Sequence, residues 1–462
     1  MFFIFFLLIL SAFLYSTAFI FIDKLWYLIF FFITPISYLV LEKKYSIKFF
    51  NKSFRYGLFW GIIAFFIQPI GLYISLINIA QHNKIFIAFM IFLLTIYQAI
   101  YSGFWVYITS KISSNLSSDI LKILLFSIIT WGYFNFIENY LLWPFSESKI
   151  EGVFIFNPLL PLAVNSSALY LMSFLDQNIF LFILILYSSI LSLIFIYKNI
   201  AIKLFILFIF ISPFIFNIFF KDSLNNNLPE IFNHIAAISK AFYNPGDNKR
   251  TALEIAKEIN DLKNKKKDIK IILFPESAFY LCDLKQEQEL INYFNKDIHI
   301  IIGAIRKKRD KYYNALYYLH NNKIISKFYK RHSLILTERL LFKKFNLINK
   351  LIKNSYFKER PIITESNKER VSFNISKNIK LIPYICSEIF FNNNPDDKFN
   401  NNSIVIALCN DTWIYESVNY IQKLMVMANK LKAMHWKRYI IYVDYQSAYI
   451  FNKYGNQQKL IF

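Results

Sequence analysis

Cysteine is scarce in this chain: Cys282, Cys386 and Cys409 are the three among 462 residues. Three cysteines do not make a disulfide framework, and no CxxC pair or Cys/His ligand spacing suggests zinc. No metal and no cofactor are expected. Charge is scarce in one half only. Residues 1–220 hold 12 Lys or Arg and 7 Asp or Glu, against 40 and 23 in residues 221–462. Few ionisable groups inside the apolar stretches argue against a transporter, whose substrate path uses them. RNA-binding and helix-turn-helix signatures are missing, and so are internal repeats. The net charge of +22 therefore points to an anionic membrane surface and not to nucleic acid.

What the sequence has in excess is apolar bulk. Hydrophobic residues make up 56%, and phenylalanine alone numbers 52. Such a composition exceeds that of soluble domains. Apolar stretches of spanning length fall at 1–22, 25–41, 56–80, 85–108, 120–143, 178–197 and 200–220. The first is too long for a signal-peptide core and lacks a basic start and a cleavage site, so it reads as a retained helix. A further stretch, 153–175, is interrupted by Pro158, Pro161 and Asn165-Ser166-Ser167. It reads as interfacial or re-entrant.

Loop charge orients the spans. Lys43, Lys44, Lys48, Lys52 and Arg55 put the loop between the second and third spans in the cytoplasm. Lys111 and Lys122 mark a second inside loop. Glu138, Glu147 and Glu151 mark an outside one. Seven spans then carry residues 221–462 outside the cytoplasm. The expected organisation is a transmembrane helical domain over 1–220 and an extracytoplasmic catalytic domain over 221–462.

The second half alternates strand and helix patterns, which argues for a layered α/β domain. Helices are expected over 251–267 and 417–436. Strands are expected at 269–274, 298–304, 312–319, 323–329, 379–385, 403–409 and 439–445. Three of these strands end on chemistry. Phe274-Pro275-Glu276-Ser277 closes one, Lys330 another, and Cys386-Ser387-Glu388 a third. Open α/β layers place reactive groups at such ends. A cysteine nucleophile needs a base and a cation for the oxyanion that follows. Glu276, Lys330 and Cys386 supply these parts, which points to acyl chemistry at a membrane surface. Cys282 and Cys409 have no charge partner in their motifs and read as small buried hydrophobes.

The three blocks, in this order and at these separations, resemble the signature of the nitrilase (carbon–nitrogen hydrolase) superfamily. A membrane domain ahead of them is similar to one branch, the apolipoprotein N-acyltransferases. Ile302-Gly303-Ala304, Tyr313-Asn314-Ala315 and Asn410-Asp411-Thr412-Trp413 add to the resemblance. It implies a multi-span α-helical membrane domain followed by a nitrilase-like α-β-β-α sandwich, in a bacterial inner membrane. It implies transfer of an acyl chain from a phospholipid, through a thioester on Cys386. The acceptor would be the α-amino group of a diacylglyceryl-modified cysteine at a lipoprotein N-terminus. Glu276 would act as base and Lys330 as oxyanion partner. Glu338, where the family has a second glutamate, would hold Lys330 or Glu276. Glu388 and Trp413 would shape the acceptor or acyl pocket, or else be a satisfied buried carboxylate and a core residue.

The sequence departs from the resemblance in places. Ser333–Thr337 lacks the Pro, Phe and Gly that precede the second glutamate in the family. Position 387 is Ser where that branch commonly has an aromatic residue. The family's last membrane helix has no counterpart after the 439–445 strand, so the tether is expected to be N-terminal. Two rival readings are a membrane-anchored nitrilase-type amidase and a catalytically inactive membrane scaffold.

Overall fold

A computed structural model describes residues 2–79, 84–141, 154–208, 228–238, 252–282, 297–333, 362–366, 368–390, 403–411 and 420–460, with Gln288, Ile291 and Glu338 as isolated positions. The chain divides into two compact units. One holds Met1–Leu224 with Tyr415–Ala428, the other Asn225–Ile414 with Asn429–Phe462.

The first unit is helical. Among the described residues, five helical stretches are long and apolar enough to cross a membrane: Phe2–Ile20, Ile22–Leu41, Lys84–Ser113, Asp119–Tyr140 and Gln177–Ile196. A sixth candidate is the pair Ser53–Ile67 and Ile70–Asn78, bent by 57°. Pro69 lies in the break, where its missing N–H interrupts the helical ladder. Within the same unit the Tyr420 hydroxyl donates to the Gln68 carbonyl at 3.0 Å and accepts from the Gly71 N–H at 2.6 Å. It satisfies groups that the break would otherwise leave bare. Gly57 and Gly61 permit close helix packing. A Cβ on Gly57 would come within 2.4 Å of the Ser102 carbonyl oxygen, and one on Gly61 within 2.8 Å of Ala99 Cα.

Three of the expected stretches take a particular form here. The stretch at 25–41 falls within the candidate span Ile22–Leu41, in which the 310 turn Trp26–Phe30 separates Ile22–Leu25 from Thr34–Leu41. Residues 153–175 break into Phe154–Phe156, Pro161–Val164 and Ser166–Phe174, none of spanning length. The 200–220 stretch is helical up to residue 208, and the remainder lies outside the described residues.

The second unit holds two six-stranded sheets. The first contains β1 (Ile235–Ala237), β2 (Ile271–Leu273), β3 (Phe279–Cys282), β4 (His299–Lys308), β5 (Lys311–His320) and β6 (Lys323–Tyr329). Its order is β1-β2-β4-β5-β6, with β3 also pairing with β4. The second contains β7 (Phe373–Asn374), β8 (Lys380–Ile385), β9 (Ile404–Leu408), β10 (Ile440–Val443), β11 (Ala448–Phe451) and β12 (Gln457–Lys459). Its strands run in the order β12-β11-β10-β9-β8-β7, with β8, β9 and β10 parallel.

Side-chain alternation assigns the faces of the first sheet. Ile272, Ile300, Ile302, Ala315 and Tyr317 share a core with Ile255, Ile259 and Leu262 of the helix Ala252–Lys265. Residues of the opposite parity turn towards the second sheet, where the Tyr318 ring packs on Phe373 and its hydroxyl donates to the Asn374 carbonyl. Trp436, just after the helix Tyr420–His435, stacks on Tyr384 of the second sheet. The first sheet therefore carries a helix on one face and the second sheet on the other. Sequence reasoning did not anticipate β1, β3, β7, β11 or β12, each of four residues or fewer.

Candidate active site

Glu276 follows β2 and Cys386 follows β8, each at the C-terminal end of a strand with a parallel neighbour. Lys330 follows β6. Gly303 of β4 lets the Glu276 turn lie close, because a Cβ there would stand 2.6 Å from Glu276 Cα and from the Pro275 carbonyl oxygen. Ser277, the next residue, takes a left-handed φ of 58°. The Glu276 side chain is thereby fixed at the inner face of the first sheet.

Around it several polar partners converge. Glu276 Oε1 accepts from Asn314 Nδ2 and, at 3.3 Å, from Lys330 Nζ. Its Oε2 accepts from the Asn410 backbone N–H at 2.9 Å. The Tyr445 hydroxyl donates to the Glu276 carbonyl at 3.1 Å. Glu338 approaches the same ammonium from another side: Lys330 Nζ lies 2.9 Å from its Oε1 and 2.8 Å from its Oε2. Asn314 Nδ2 also reaches Glu338, at 3.0 Å. One lysine thus sits between two carboxylates, with one asparagine bridging them.

Burial sets the charges. It raises the affinity of the Glu276 carboxyl for its proton. Lys330 opposes this, Glu338 adds to it, and hydrogen bonds from Asn314 and Cys386 oppose it. The result lies above the ordinary carboxylate value. For Lys330, burial alone would favour the neutral amine. Glu276, Glu338 and Cys386 outweigh it and hold the ammonium well above its ordinary value. The site therefore contains a carboxylate able to take a proton and a cation that does not release one.

Cys386 is buried and left-handed, with φ 48°. It opens the 310 turn Cys386–Phe390. Such a backbone costs about 1–2 kcal/mol in a residue other than glycine, and strain of this kind gathers at functional turns. Glu388, fully buried in the same turn, offers its carboxylate to the backbone. It accepts from Ile385 N–H at 2.8 Å and from Arg331 N–H at 2.9 Å, and pairs with Arg370 at 3.6 Å. One carboxylate thus pins the residue before Cys386 and the residue after Lys330. Glu388 is thus a buried carboxylate with backbone N–H partners in place. Trp413 lies outside the described residues.

Several participants were missed from sequence. Asn314 and Asn410 fall in motifs noted there, but no role was assigned to them. Arg370, whose guanidinium stacks 3.6 Å from the Tyr384 ring centroid and donates to the Pro383 carbonyl, carries no local signal. Cys409 is buried, as expected of a small hydrophobe, yet Cys386 is among the neighbours that raise its thiol's affinity for the proton. Ser387 is also buried, and its hydroxyl has no partner among the described residues.

The geometry can be set beside known proteins. The chain is similar to an apolipoprotein N-acyltransferase. That protein, from Wigglesworthia glossinidia brevipalpis, is 25% identical over 385 residues, covering 79% of this chain and 72% of its own. No family model matches. Among solved structures, Saccharomyces cerevisiae Nit3, a member of branch 10 of the nitrilase superfamily, superposes with a TM-score of 0.34 at 14% identity, over 48% of this chain and 83% of its own. A carbon-nitrogen hydrolase from Helicobacter pylori G27 gives 0.35 at 12% identity, over 50% and 87%.

Proposed function

We propose that this chain is a membrane acyltransferase that moves an acyl chain from a phospholipid to the α-amino group of a diacylglyceryl-cysteine at a lipoprotein N-terminus. The observation that carries this reading is the buried Lys330 ammonium held between Glu276 and Glu338, beside a strand-end cysteine. The similarity to an apolipoprotein N-acyltransferase selects the substrates.

The chemistry follows from the charges. Glu276 accepts the Cys386 proton, and the thiolate attacks the ester carbonyl of the phospholipid. The oxyanion develops against Lys330 and a backbone N–H, where the fixed positive charge stabilises it. Collapse breaks the ester C–O bond, and Glu276 returns the proton to the departing lysophospholipid alkoxide. The acceptor amine then attacks the thioester and gives its proton to Glu276. The thiolate leaves, the amide is formed, and the proton returns to sulfur. Glu338 keeps Lys330 in line, and Glu388 holds the backbone of both reacting blocks.

The N-terminal helices suit an acyl donor that never leaves the bilayer. The basic segment Lys43–Arg55, which is the helix Lys43–Asn51 and the start of the helix Ser53–Ile67 and not the expected loop, supports a catalytic unit outside the cytoplasm, in a bacterial inner membrane. Mass spectrometry of lipoprotein N-termini, with and without this protein, tests the activity: N-acylated cysteine should disappear in its absence. Cysteine-accessibility labelling of intact cells tests the topology. Sites in 300–450 should be reached and sites in 43–55 protected. Full N-acylation without the protein, or the reverse labelling pattern, would reject the corresponding part.

A further inference from the structure

Cys409 closes β9 as Cys386 closes β8. The two strands run parallel, and their register pairs Ile385 with Leu408. The two cysteines are the next positions along, at the C-terminal ends of neighbouring strands. Adjacent strands lie about 4.8 Å apart, within the roughly 4.4–6.8 Å between Cα atoms that a disulfide spans. Both thiols are free and buried, and Cys386 is close enough to act on the proton affinity of the Cys409 thiol. Nothing in the acyl-transfer mechanism uses the second one.

We propose that Cys386 and Cys409 form a dithiol modification site, which a hydroperoxide converts into a reversible disulfide that withdraws the nucleophile. The effect on turnover rests on the acyltransferase reading; the disulfide itself does not. Cys386, deprotonated by Glu276, attacks the hydroperoxide. An S–O bond forms and the O–O bond breaks, so sulfur is oxidised and the peroxide reduced. With hydrogen peroxide the products are a sulfenic acid and water. Cys409 sulfur then attacks Cys386 sulfur. The S–S bond forms, the S–O bond breaks, and hydroxide leaves as water with the Cys409 proton. Two thiols and one hydrogen peroxide give one disulfide and two waters.

Burial in the first place, then the neighbouring Cys386, Glu276 and Asp444, hold the Cys409 thiol well above its ordinary value. It stays protonated during acyl transfer and does not compete for the thioester. Once Cys386 is a sulfenic acid, its neighbour intercepts it before irreversible oxidation to the sulfinic state.

The test uses the full-length protein in detergent, treated with hydrogen peroxide, alkylated and mapped by peptide mass spectrometry. A peptide pair joined through Cys386 and Cys409 is expected, with the loss of two hydrogens. Labelling of Cys386 by phospholipid should fall with oxidation and return with dithiothreitol. In Cys409→Ala and Cys409→Ser, each compared with its own reduced labelling and given enough peroxide to carry an unprotected sulfenic acid to the sulfinic acid, the lost labelling should no longer be restored by dithiothreitol. Cys282→Ala should keep the wild-type recovery. Absence of the joined peptides, or equal recovery in the Cys409 variants, overturns the proposal. If reduced wild-type protein never takes label while the joined peptides form, the acyltransferase reading fails and the dithiol site stands.

Discussion

The helical unit and the sheet unit both bury polar side chains, but of different kinds. In the helical unit the buried groups are neutral and bond nearby oxygens. Ser11 donates to the Phe32 carbonyl and Trp60 Nε1 to Ser11; Thr34 donates to the Ser188 carbonyl, and Trp105 Nε1 to Thr130. Among its described residues, Glu138 is the one buried carboxylate, and Asn157 Nδ2 donates to it at 2.6 Å. The sequence reading used Glu138 as a loop charge, whereas it lies in the last turn of the helix Asp119–Tyr140. In the sheet unit the buried groups include Glu276, Lys330, Arg370, Glu388, Asp411 and Asp444. Glu276, Lys330, Glu388, Asp411 and Asp444 follow the ends of strands, whereas Arg370 reaches the middle of β8 and the buried Lys432 and Arg438 lie elsewhere. Neutral hydrogen bonds suffice to hold helices together in an apolar medium. Buried charge adds little stability over an apolar core but costs much when a partner is removed. The cluster of Glu276, Lys330 and Glu338 beside Cys386 is therefore read as function.

The largest effect should come from the charge between the two carboxylates. Lys330→Ala should slow thioester formation by at least about a hundredfold, the scale of losing one oxyanion donor. Lys330→Arg should not restore it, because a planar guanidinium does not replace a compact ammonium. Glu276→Gln should block acylation by removing the proton acceptor. Rapid-quench labelling with phospholipid measures all three, and an unchanged rate in any of them would break the division of roles.

Next in size is the packing beneath Glu276. Gly303→Ala places a Cβ against the Pro275-Glu276 backbone and should cost about 1–3 kcal/mol. Thermal unfolding in detergent should show the loss, and thioester formation should slow as Glu276 shifts. A Gly303→Ala protein with unaltered melting and rate would mean that the close approach is unimportant.

The two buried glutamates sharpen the comparison. Glu388→Gln removes a charge that offsets Arg370 and serves two backbone N–H groups, and should cost about 3 kcal/mol. Glu138→Gln retains an acceptor for Asn157 and should cost less than about 1 kcal/mol. Equal losses in unfolding experiments would erase the distinction between the units.

The smallest effect concerns pH. His299 stacks on His320 with 3.9 Å between centroids, and its Nδ1 lies 2.9 Å from the Tyr318 hydroxyl. Burial and the His320 charge push it down to about 4 from 6.5. Between these values the unfolded chain binds a proton that the folded chain refuses. Stability from this residue should therefore fall as pH drops from 6.5 to 4. Melting temperatures of His299→Phe should show a shallower decline across that window. An unchanged slope would remove His299 as the cause.

Much of the site was legible because its residues end strands, and strand ends are visible as breaks in apolar runs. Glu276, Lys330 and Cys386 were marked in this way. The helix over 251–267 was visible in its spacing, and the structure has Ala252–Lys265. What stayed hidden was pairing between distant segments. Arg370 lies in a polar stretch with no pattern, and only the fold carries it to Pro383 and Tyr384. The adjacency of Cys409 to Cys386 depends on strand register, which no local motif records. Glu388 was visible as a residue, but its backbone partners at 331 and 385 were not.

The central claim is a covalent acyl-enzyme on Cys386. Reduced full-length protein, incubated with acyl-labelled phospholipid without acceptor, should carry one acyl chain on the Cys386 peptide, released by neutral hydroxylamine. Cys386→Ala, treated identically, should carry none. Label on the Cys386→Ala protein at the wild-type level, or wild-type turnover with no adduct on Cys386, would contradict the account.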